Sequence, residues 1–331
     1  MAKKRIAING FGRIGRLVCR NLYGQKNIEI VAINDLTDNL TLAHLLKNDS
    51  AQGTFEANVS ADDEYIKINR TKVLSLSERD PAKLPWKKLK IDIVLECTGR
   101  FTTEDQLKLH IKAGAKKVIL SAPPKSKNVK LVVLGVNEKE LTGKEKLISN
   151  ASCTTNCLAP VVKILNENWG IVQGTMTTTH AFTADQRLQD APHKDLRRAR
   201  AASVNIIPTS TGAASALSKV YPQIHGKLMA LALRVPVIAG SLIDLTVQLE
   251  KEVSSKKIND TFKKYAKGPL KGILQYSESE LVSSDIIGNT HASIFDSKLT
   301  KKSGNWVRVV SWYDNEAGYA ARLADLVMLV K

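Results

Sequence analysis

The sequence predicts a two-domain α/β protein, and three observations support that fold class. The chain has 331 residues, which is more than one hydrophobic core usually serves. In the first half, strand patterns alternate with helical patterns, which is typical of a parallel sheet covered by helices. After about residue 150, strand patterns follow one another with few helices between them, which predicts an α+β domain with a mixed, largely antiparallel sheet. We therefore expect one domain over residues 1–150 and a second over residues 151–314.

Short apolar runs rich in β-branched residues predict the strands of the first domain. The buried strands are predicted at RIAI (5–8), IEIVAIND (28–35), IDIVLECTG (91–99), KKVILSAP (116–123) and KLVVLGVN (130–137). EYIKI (64–68) and KVLSL (72–76) alternate polar and apolar residues, which predicts a hairpin. Helices are predicted over residues 16–26 and 102–114, the latter with Thr102 or Thr103 as N-cap and Gly114 as its stop.

The second domain is predicted to begin with one long helix, CTTNCLAPVVKILNEN (153–168). Strand patterns follow over IVQGTMTTTHAF (171–182), KLMALALRVPV (227–237), SLIDLTVQLE (241–250) and WVRVVSWYD (306–314). The final stretch, EAGYAARLADLVMLVK (316–331), is again helical.

The composition is that of a globular protein with a basic surface. Hydrophobic residues make up 43%, and no apolar run approaches the roughly 18 residues of a membrane span. The N-terminal MAKKRIAINGFG does not fit a signal peptide, so we expect a cytoplasmic protein whose 4 cysteines are free thiols. The net charge of +17 indicates anionic partners, but aromatic residues are only 5% and no nucleic-acid motif is present. A solvated basic surface explains the charge, so neither nucleic acid nor a membrane is required.

A glycine motif directly after the first predicted strand indicates a dinucleotide site. Gly10, Gly12 and Gly15 have the spacing G-x-G-x-x-G, and the motif opens a helix. Glycines permit a tight turn there, and the N–H groups at the helix start can bind a pyrophosphate. Asp35 ends the second strand, 20 residues after Gly15, where a carboxylate binds the ribose hydroxyls and repels a 2′-phosphate. A Rossmann domain that binds NAD rather than NADP is therefore predicted; a glycine-rich turn without a ligand is the alternative.

The segment SNASCTTNCL (149–158) places Cys153 and Cys157 four residues apart at the start of the long helix. A disulfide within one helix is geometrically awkward, and two cysteines alone are not a metal site, so we expect no metal. The first helical turn favours a thiolate, so we expect a lowered pKa for Cys153 and a nucleophilic role. Cys157 is expected to pack in the core; two structural thiols are the alternative. His180 ends a predicted strand of the same domain and is the candidate base, although a structural histidine is the more frequent case.

Arginines and hydroxyls downstream of His180 indicate phosphate recognition. HKDLRRAR (193–200) contributes three arginines, TSTGAA (209–214) contributes hydroxyls and a glycine, and Arg234 follows in LRVP. A solvated face and a subunit contact are the alternative interpretations of the arginine run.

These motifs together resemble the glyceraldehyde-3-phosphate dehydrogenase family over essentially the whole chain. The matching segments are INGFGRIGR, AINDL, ERDP, ECTGRF, ISNASCTTNCLAP, HAFTADQRLQDAPHKDLRRARAA, IIPTSTGAA, RVP and WYDNE. SNASCTTNCLAP is the most specific of them, because it resembles the active-site segment of this family and favours Cys153 as the nucleophile. The resemblance implies a Rossmann domain, then a catalytic domain, with the C-terminal helix (315–331) packed back on the first domain. It also implies a homotetramer, in which a loop around residues 181–203 lies near a neighbouring cofactor site.

The resemblance also implies roles for individual residues of this chain. NAD contacts are implied for the glycine turn and four positions beyond it: Gly10, Gly12, Arg13, Ile14, Gly15, Asp35, Arg79, Ser121 and Asn315. One anion site, for the substrate phosphate, is implied at Thr183 and Arg234. A second, for inorganic phosphate, is implied at Ser152, Thr154, Arg198, Thr211 and Gly212.

The reaction implied is the oxidation of D-glyceraldehyde 3-phosphate, with NAD and inorganic phosphate, to 1,3-bisphosphoglycerate and NADH in glycolysis. Cys153 attacks the aldehyde, His180 takes the hydroxyl proton, and the thioester on Cys153 passes its acyl group to phosphate. A related dehydrogenase acting on erythrose 4-phosphate is the alternative of the same class. An RNA-binding protein with a basic surface is the alternative of another class, and a Cys–His hydrolase leaves the dinucleotide turn unexplained.

The chain departs from the usual family pattern in four places. Ala317 stands where tryptophan is usual, and residues 236–240 differ within RVPVIAGS. Ala51 and Gln52 replace a small residue and a histidine, and Ala191 stands where NAD-specific relatives often carry leucine. These departures bear on packing and on the strength of the preference for NAD over NADP.

Overall fold

The computed structural model describes residues 3–330, and the chain divides into two compact units. The first unit comprises Met1–Val132, Lys139–Ala151 and Ala320–Lys331, and the second comprises Val133–Glu138 and Ser152–Tyr319. Each unit has its own sheet, and the predicted two-domain α/β fold class is confirmed. Within residues 3–330, the helices are too short or too polar to cross a membrane.

The sheet of the first unit is mostly parallel. Its strands are β1 (Lys4–Asn9), β2 (Ile28–Asn34), β3 (Val59–Ala61), β4 (Tyr65–Ile68), β5 (Thr71–Leu76), β6 (Ile93–Glu96), β7 (Lys117–Leu120), β8 (Lys130–Leu131) and β9 (Leu147–Ser149). They lie in the order β3-β4-β5-β2-β1-β6-β7-β9-β8. Only the pairs β3–β4 and β4–β5 are antiparallel among these described strands. The carboxyl ends of β2, β1 and β6 therefore lie side by side, where open α/β sheets bind ligands.

Three helices connect strands of the first unit: α1 (Arg13–Leu22), α2 (Asn39–Lys47) and α3 (Glu104–Lys112). α3 begins as its sequence predicts, because the Thr103 hydroxyl accepts from Gln106 N while the Gln106 side chain accepts from Thr103 N. It stops before Gly114, whose positive φ of 107° favours glycine. The predicted hairpin of residues 64–76 is confirmed as β4 and β5.

The prediction of a strand over residues 130–137 is wrong beyond Leu131. Val132 and Val133 are buried as a strand pattern requires, but the chain turns after them. Gly135 has a positive φ of 82°, and the Asn137 side chain accepts a hydrogen bond from Val133 N at 2.9 Å. This local turn replaces the ladder that an extended chain would need.

The sheet of the second unit is mixed and largely antiparallel, as predicted. Its strands are β10 (Ile171–Ala181), β11 (Ile207–Thr209), β12 (Leu228–Val235), β13 (Ser241–Leu249), β14 (Leu274–Ser277), β15 (Ser293–Ser303) and β16 (Trp306–Tyr313). They lie in the order β11-β12-β10-β13-β16-β15-β14, with β10–β12 and β14–β15 as the parallel pairs. In the β10–β12 register, His180 is opposite Arg234.

The helices after residue 150 are α4 (Cys153–Trp169), α5 (Ala213–Val220), α6 (Ser255–Lys267) and α7 (Ala317–Leu329). α4 and α7 match predicted helices, whereas α5, α6, β14 and β15 were not predicted. α6 presents a narrow apolar stripe in a lysine-rich sequence, where Ile258 and Phe262 alone are fully buried. Such a short stripe is easily missed in a chain with many surface lysines.

Candidate active site

A cleft of about 560 Å³ opens at the carboxyl ends of β1, β2 and β6 in the first unit. It is lined by Asn9, Gly10, Gly12, Asn34, Asp35, Leu36, Glu78, Arg79, Cys97, Thr98, Arg100, Phe101 and Gln106. Four of the predicted cofactor residues, Gly10, Gly12, Asp35 and Arg79, thus share one cavity. Its size is in the range of sites for small molecules and cofactors.

Each glycine of the turn is explained by a different physical reason. A Cβ on Gly10 would lie 2.6 Å from Thr98 N, and a Cβ on Gly15 would overlap the carbonyl oxygen of Gly10. Gly12 has no heavy atom within 4 Å of such a Cβ and caps α1 without a side-chain bond. The space beside Gly12 and the uncapped start of α1 fit a pyrophosphate.

Asp35 is held at the cleft by the backbone. Its carboxylate oxygens accept hydrogen bonds from Phe11 N at 2.7 Å and from Thr37 N at 3.1 Å. A carboxylate has about four lone-pair sites, so both oxygens can still accept from ribose hydroxyls. A fixed negative charge at this position disfavours the extra phosphate of NADP.

The remaining predicted cofactor residues lie outside the lining of this cleft. Arg13 and Ile14 begin α1, and Arg13 pairs with Asp49 at 3.0 Å. Ser121 follows β7 at the same edge of the sheet, and its N–H donates to the Glu96 carbonyl. Asn315 belongs to the second unit, where its side-chain oxygen accepts from the Ser241 hydroxyl at 2.9 Å.

A buried polar network that sequence reasoning missed lies beneath the cleft. Glu96 is fully buried, and its oxygens accept from Asn9 Nδ2 at 2.6 Å, from His110 Nε2 at 3.1 Å, and from both the N–H and the hydroxyl of Thr98. Trp86 Nε1 donates to His110 Nδ1 at 3.0 Å, which leaves the His110 proton on Nε2, facing Glu96.

The same network continues along the carboxyl ends of the strands. Asn9 Oδ1 accepts from Asn34 Nδ2 at 2.7 Å, and Asn34 Oδ1 accepts from Glu78 N at 2.8 Å. Asn9, Asn34 and Glu96 are each the last residue of a buried strand. A polar residue at that place in three neighbouring strands is the sequence signal that could have indicated the network.

The second unit brings Cys153 and His180 together. α4 begins at Cys153, because the Ser152 hydroxyl accepts from Thr155 N at 3.1 Å and caps the helix. Strand β10 carries His180, whose Nε2 lies 3.4 Å from Cys153 Sγ. A thiol within hydrogen-bond reach of an imidazole is the arrangement of an activated nucleophile.

The prediction of a lowered pKa for Cys153 is wrong for this structure. Burial raises the pKa of the Cys153 thiol, and it outweighs the opposing effects of the Arg234 charge and the N–H groups at the helix start. Burial and the Arg234 charge also lower the pKa of His180 to about 3, so the imidazole is neutral at pH 7. The centre therefore rests with a protonated thiol beside a neutral imidazole.

Cys157 has a different environment one turn further along α4. It is completely buried, its Sγ lies 3.4 Å from the Ser293 hydroxyl, and burial raises its pKa to about 12. This environment fits the packing role that the sequence predicts for it.

Tyr313, which sequence reasoning did not select, joins α4 to β10. Its hydroxyl lies 2.9 Å from Thr154 Oγ1 and 2.8 Å from Thr178 Oγ1, and Thr178 donates to the Leu242 carbonyl. Its ring meets the His180 ring edge-on, with centroids 5.8 Å apart. Tyr313 thus fixes the spacing between the thiol and the imidazole.

The predicted phosphate-binding residues of the second unit differ in how fully they are paired. Arg198 contacts Asp185 at 2.5 Å and Asp195 at 3.2 Å. Arg234 contacts His180, and its buried Nε has no partner among the described residues. An arginine with an unmet donor is ready for an anion.

The hydroxyl and glycine positions lie at helix starts and turns. Thr211 accepts from Ala213 N at 3.2 Å, and Gly212 is the N-cap of α5. Ser152 and Thr154 flank Cys153 at the start of α4, and Thr183 follows β10. The hydroxyls and backbone N–H groups of these residues therefore lie at the starts of α4 and α5 and just after β10.

Comparison with known proteins gives matches over most of the chain. Residues 4–104 match the family model "Glyceraldehyde 3-phosphate dehydrogenase, NAD binding domain", and residues 152–315 match "Glyceraldehyde 3-phosphate dehydrogenase, C-terminal domain". Proteins named glyceraldehyde-3-phosphate dehydrogenase from Mycolicibacterium smegmatis and Mycobacterium tuberculosis are each 55% identical, with 98% of both chains covered. The protein of that name from Mycoplasma pneumoniae is 57% identical over 98% of this chain and 96% of its own.

Proposed function

This chain belongs to the glyceraldehyde-3-phosphate dehydrogenase family. From that premise we propose which of its residues bind the cofactor and the phosphate groups and which perform the chemistry. It is an NAD-dependent oxidoreductase of glycolysis that acts on glyceraldehyde 3-phosphate and inorganic phosphate. The 3.4 Å contact between Cys153 Sγ and His180 Nε2 carries the assignment of the catalytic pair. In this proposal the first unit binds the cofactor and the second performs the chemistry.

The residues of the first unit fit NAD. The open space at Gly12 and the uncapped start of α1 suit the pyrophosphate, and Asp35 suits the ribose hydroxyls. When bound, NAD accepts the hydride that leaves the aldehyde carbon. Ile14, Arg13, Arg79, Ser121 and Asn315 complete the proposed contacts on the basis of the family pattern.

Cys153 forms the covalent bond to the substrate in this proposal. His180 Nε2 takes the thiol proton as the sulfur adds to the aldehyde carbon and passes it to the adduct oxygen, which Cys153 N–H and the His180 side chain stabilise. His180 Nε2 takes that proton back from the oxygen as the hydride leaves the carbon. After oxidation the acyl group is held as a thioester; a phosphate oxygen then adds to its carbon, and the carbon–sulfur bond breaks to release an acyl phosphate and the Cys153 thiolate.

Two anion sites serve this sequence of steps. Arg234 and Thr183 bind the phosphate of the substrate, and the unmet Nε of Arg234 supports that role. The attacking phosphate is bound by the hydroxyls, backbone groups and arginine of Ser152, Thr154, Arg198, Thr211 and Gly212. Arg198→Ala should slow acyl transfer to phosphate and leave hydride transfer nearly unchanged, as measured by single-turnover kinetics.

The test of the reaction is NADH formation with glyceraldehyde 3-phosphate and with erythrose 4-phosphate, each with and without inorganic phosphate. We expect the higher kcat/KM with the three-carbon aldehyde, and continuous turnover only when phosphate is present. A higher kcat/KM with erythrose 4-phosphate would move the assignment to the four-carbon substrate. Turnover independent of phosphate would reject acyl transfer to phosphate.

A homotetramer and a cytoplasmic location are part of the same proposal. Leu188, Leu196, Val204, Ile206 and Met229 of the second unit are large apolar residues with more than two thirds of their surface exposed, Leu196 with 81%. A subunit interface would cover apolar side chains that are exposed to this extent. The mass by light scattering should be four times the 36.3 kDa of one chain. A monomer at micromolar concentration would reject this part of the proposal.

A further inference from the structure

His180 Nδ1 has two hydrogen-bond neighbours, one that needs a donor and one that needs an acceptor. It lies 2.7 Å from the carbonyl oxygen of Ala181 and also 2.7 Å from Nη1 of Arg234. A carbonyl oxygen can only accept a hydrogen bond, and a guanidinium group can only donate one. A neutral imidazole nitrogen carries either a proton or a lone pair, so Nδ1 can satisfy only one of these neighbours at a time.

The choice between the two neighbours decides whether His180 can act as a base. When Arg234 donates to Nδ1, the ring proton is on Nε2, and Nε2 faces Cys153 Sγ as a donor. When Nδ1 instead donates to the Ala181 carbonyl, Nε2 has a free lone pair toward Cys153. Only the second tautomer can take a proton from the thiol or from the substrate hydroxyl.

The charges around His180 favour the first, inactive tautomer in the structure. Cys153 from α4, Arg234 from β12 and Tyr313 from β16 face the ring, and Arg198 acts on it through its charge. The charged Arg234 Nη1 group, 2.7 Å from Nδ1, favours a lone pair on that nitrogen over an N–H group that would face another donor. The unmet Nε of Arg234 shows that this position leaves part of the guanidinium without a partner.

We propose that the phosphate group of the substrate draws Arg234 away from Nδ1 and thereby switches His180 into its basic tautomer. Nδ1 then takes up one proton from water and donates it in a hydrogen bond to the Ala181 carbonyl, while Nε2 releases one proton to water, so the ring stays neutral. This inference rests on the proposed role of Arg234 in binding the substrate phosphate. It assigns that phosphate a second effect: it raises the rate of the chemical step as well as the affinity.

A substrate without a phosphate group separates this role from simple phosphate binding. With glyceraldehyde, wild-type Arg234 stays on Nδ1 and His180 remains a donor. In Arg234→Met the ring is free to bond the Ala181 carbonyl, so the burst rate of NADH formation with glyceraldehyde should rise about tenfold, part of the usual contribution of a general base. The matched control is Arg308→Met, which removes an exposed arginine of the same unit that pairs with Asp244 and should leave that rate unchanged.

An equal or lower burst rate with glyceraldehyde in Arg234→Met would overturn the inference, since an arginine that only binds phosphate or stabilises the thiolate gives that result. A second measurement needs no variant. With 15N-labelled histidine, the NMR shifts of His180 at neutral pH should show a lone pair on Nδ1 in the free protein and a proton on Nδ1 when glycerol 3-phosphate is added. Unchanged nitrogen shifts with bound glycerol 3-phosphate would also overturn it.

These outcomes are distinct from a failure of the proposed function. If wild-type protein forms no NADH with glyceraldehyde 3-phosphate and phosphate, the proposed function fails. If it does so, and Arg234→Met gives no gain with glyceraldehyde, the proposed function stands and the tautomer switch fails.

Discussion

Among the described residues, the side chains that line the cofactor cleft of the first unit have partners for their buried polar atoms, whereas the Cys153 centre of the second unit leaves some of its polar atoms unmet. Glu96 accepts from Asn9, His110 and Thr98 without any ligand. In the second unit, Arg234 Nε lacks a partner among the described residues, and His180 Nδ1 has two that are incompatible. The difference supports the proposal that the cleft is preformed for NAD, while the Cys153 centre is completed by the phosphate groups of its substrates.

The largest expected effect separates the two cysteines of α4. Cys153→Ser should abolish turnover, because a hydroxyl is far harder to ionise than a thiol, whereas Cys157→Ala should lower stability and keep most activity. Iodoacetamide should label Cys153 before Cys157, and faster as the pH rises, because burial raises both thiol pKa values and Cys157 has a pKa of about 12. Peptide mapping against residual activity measures both rates. Activity that survives complete labelling of Cys153 would contradict its role as the nucleophile.

The next effect concerns the base. His180→Asn keeps a polar side chain but cannot accept a proton, so hydride transfer should slow by roughly 10²–10⁴-fold. Stopped-flow measurement of the first turnover checks this. Binding of NAD, measured by fluorescence quenching, should be unchanged, because His180 is not among the proposed NAD contacts. A loss of NAD binding in this variant would show that the two regions are not functionally separate.

A smaller effect is expected at Asp35. Asp35→Gly removes the carboxylate held by Phe11 N and Thr37 N, so NAD should bind about 10- to 100-fold more weakly, the usual value of hydrogen bonds to a charged group. NADP should bind better in the variant than in the wild type, because the repulsion of its 2′-phosphate is lost. Titration calorimetry with both cofactors measures this. Equal use of the two cofactors by wild-type protein would contradict the role of Asp35.

The smallest effect tests whether the network beneath the cleft is preformed. Glu96→Gln places an amide N–H group against donors from Asn9 and His110, and His110 cannot reverse its tautomer because Trp86 donates to its other nitrogen. The free energy of unfolding should fall by about 1–3 kcal/mol. Glu104→Gln, which breaks a more exposed pair with Lys108, is the control and should cost at most about 1 kcal/mol. Equal losses in the two variants, measured by urea unfolding, would argue against a special role of the buried network.

The sequence predicts the local features of the cofactor cleft and of the Cys153 centre. It does not predict the features that depend on residues distant in the chain. The G-x-G-x-x-G spacing and Asp35 follow directly from strand and turn patterns. Cys153 and His180 are candidates because of their helix and strand positions, and the family resemblance favours Cys153 as the nucleophile. The pKa of Cys153 could not be predicted from its place in the first helical turn, because burial by other segments outweighs the helix end and Arg234. Glu96, His110 and Trp86 are separated along the chain, and only the fold shows that they form one network.

Sequence divergence within this family meets a constraint at Glu96. The buried hydrogen bonds of this network each pair one donor with one acceptor, and they join Glu96, His110, Trp86 and Asn9. A single replacement leaves a buried polar atom without a partner, so intermediate sequences on the way to another solution lose stability. These four positions should therefore change together or not at all among descendants of this sequence, although Asn9 lines the cleft and the other three do not.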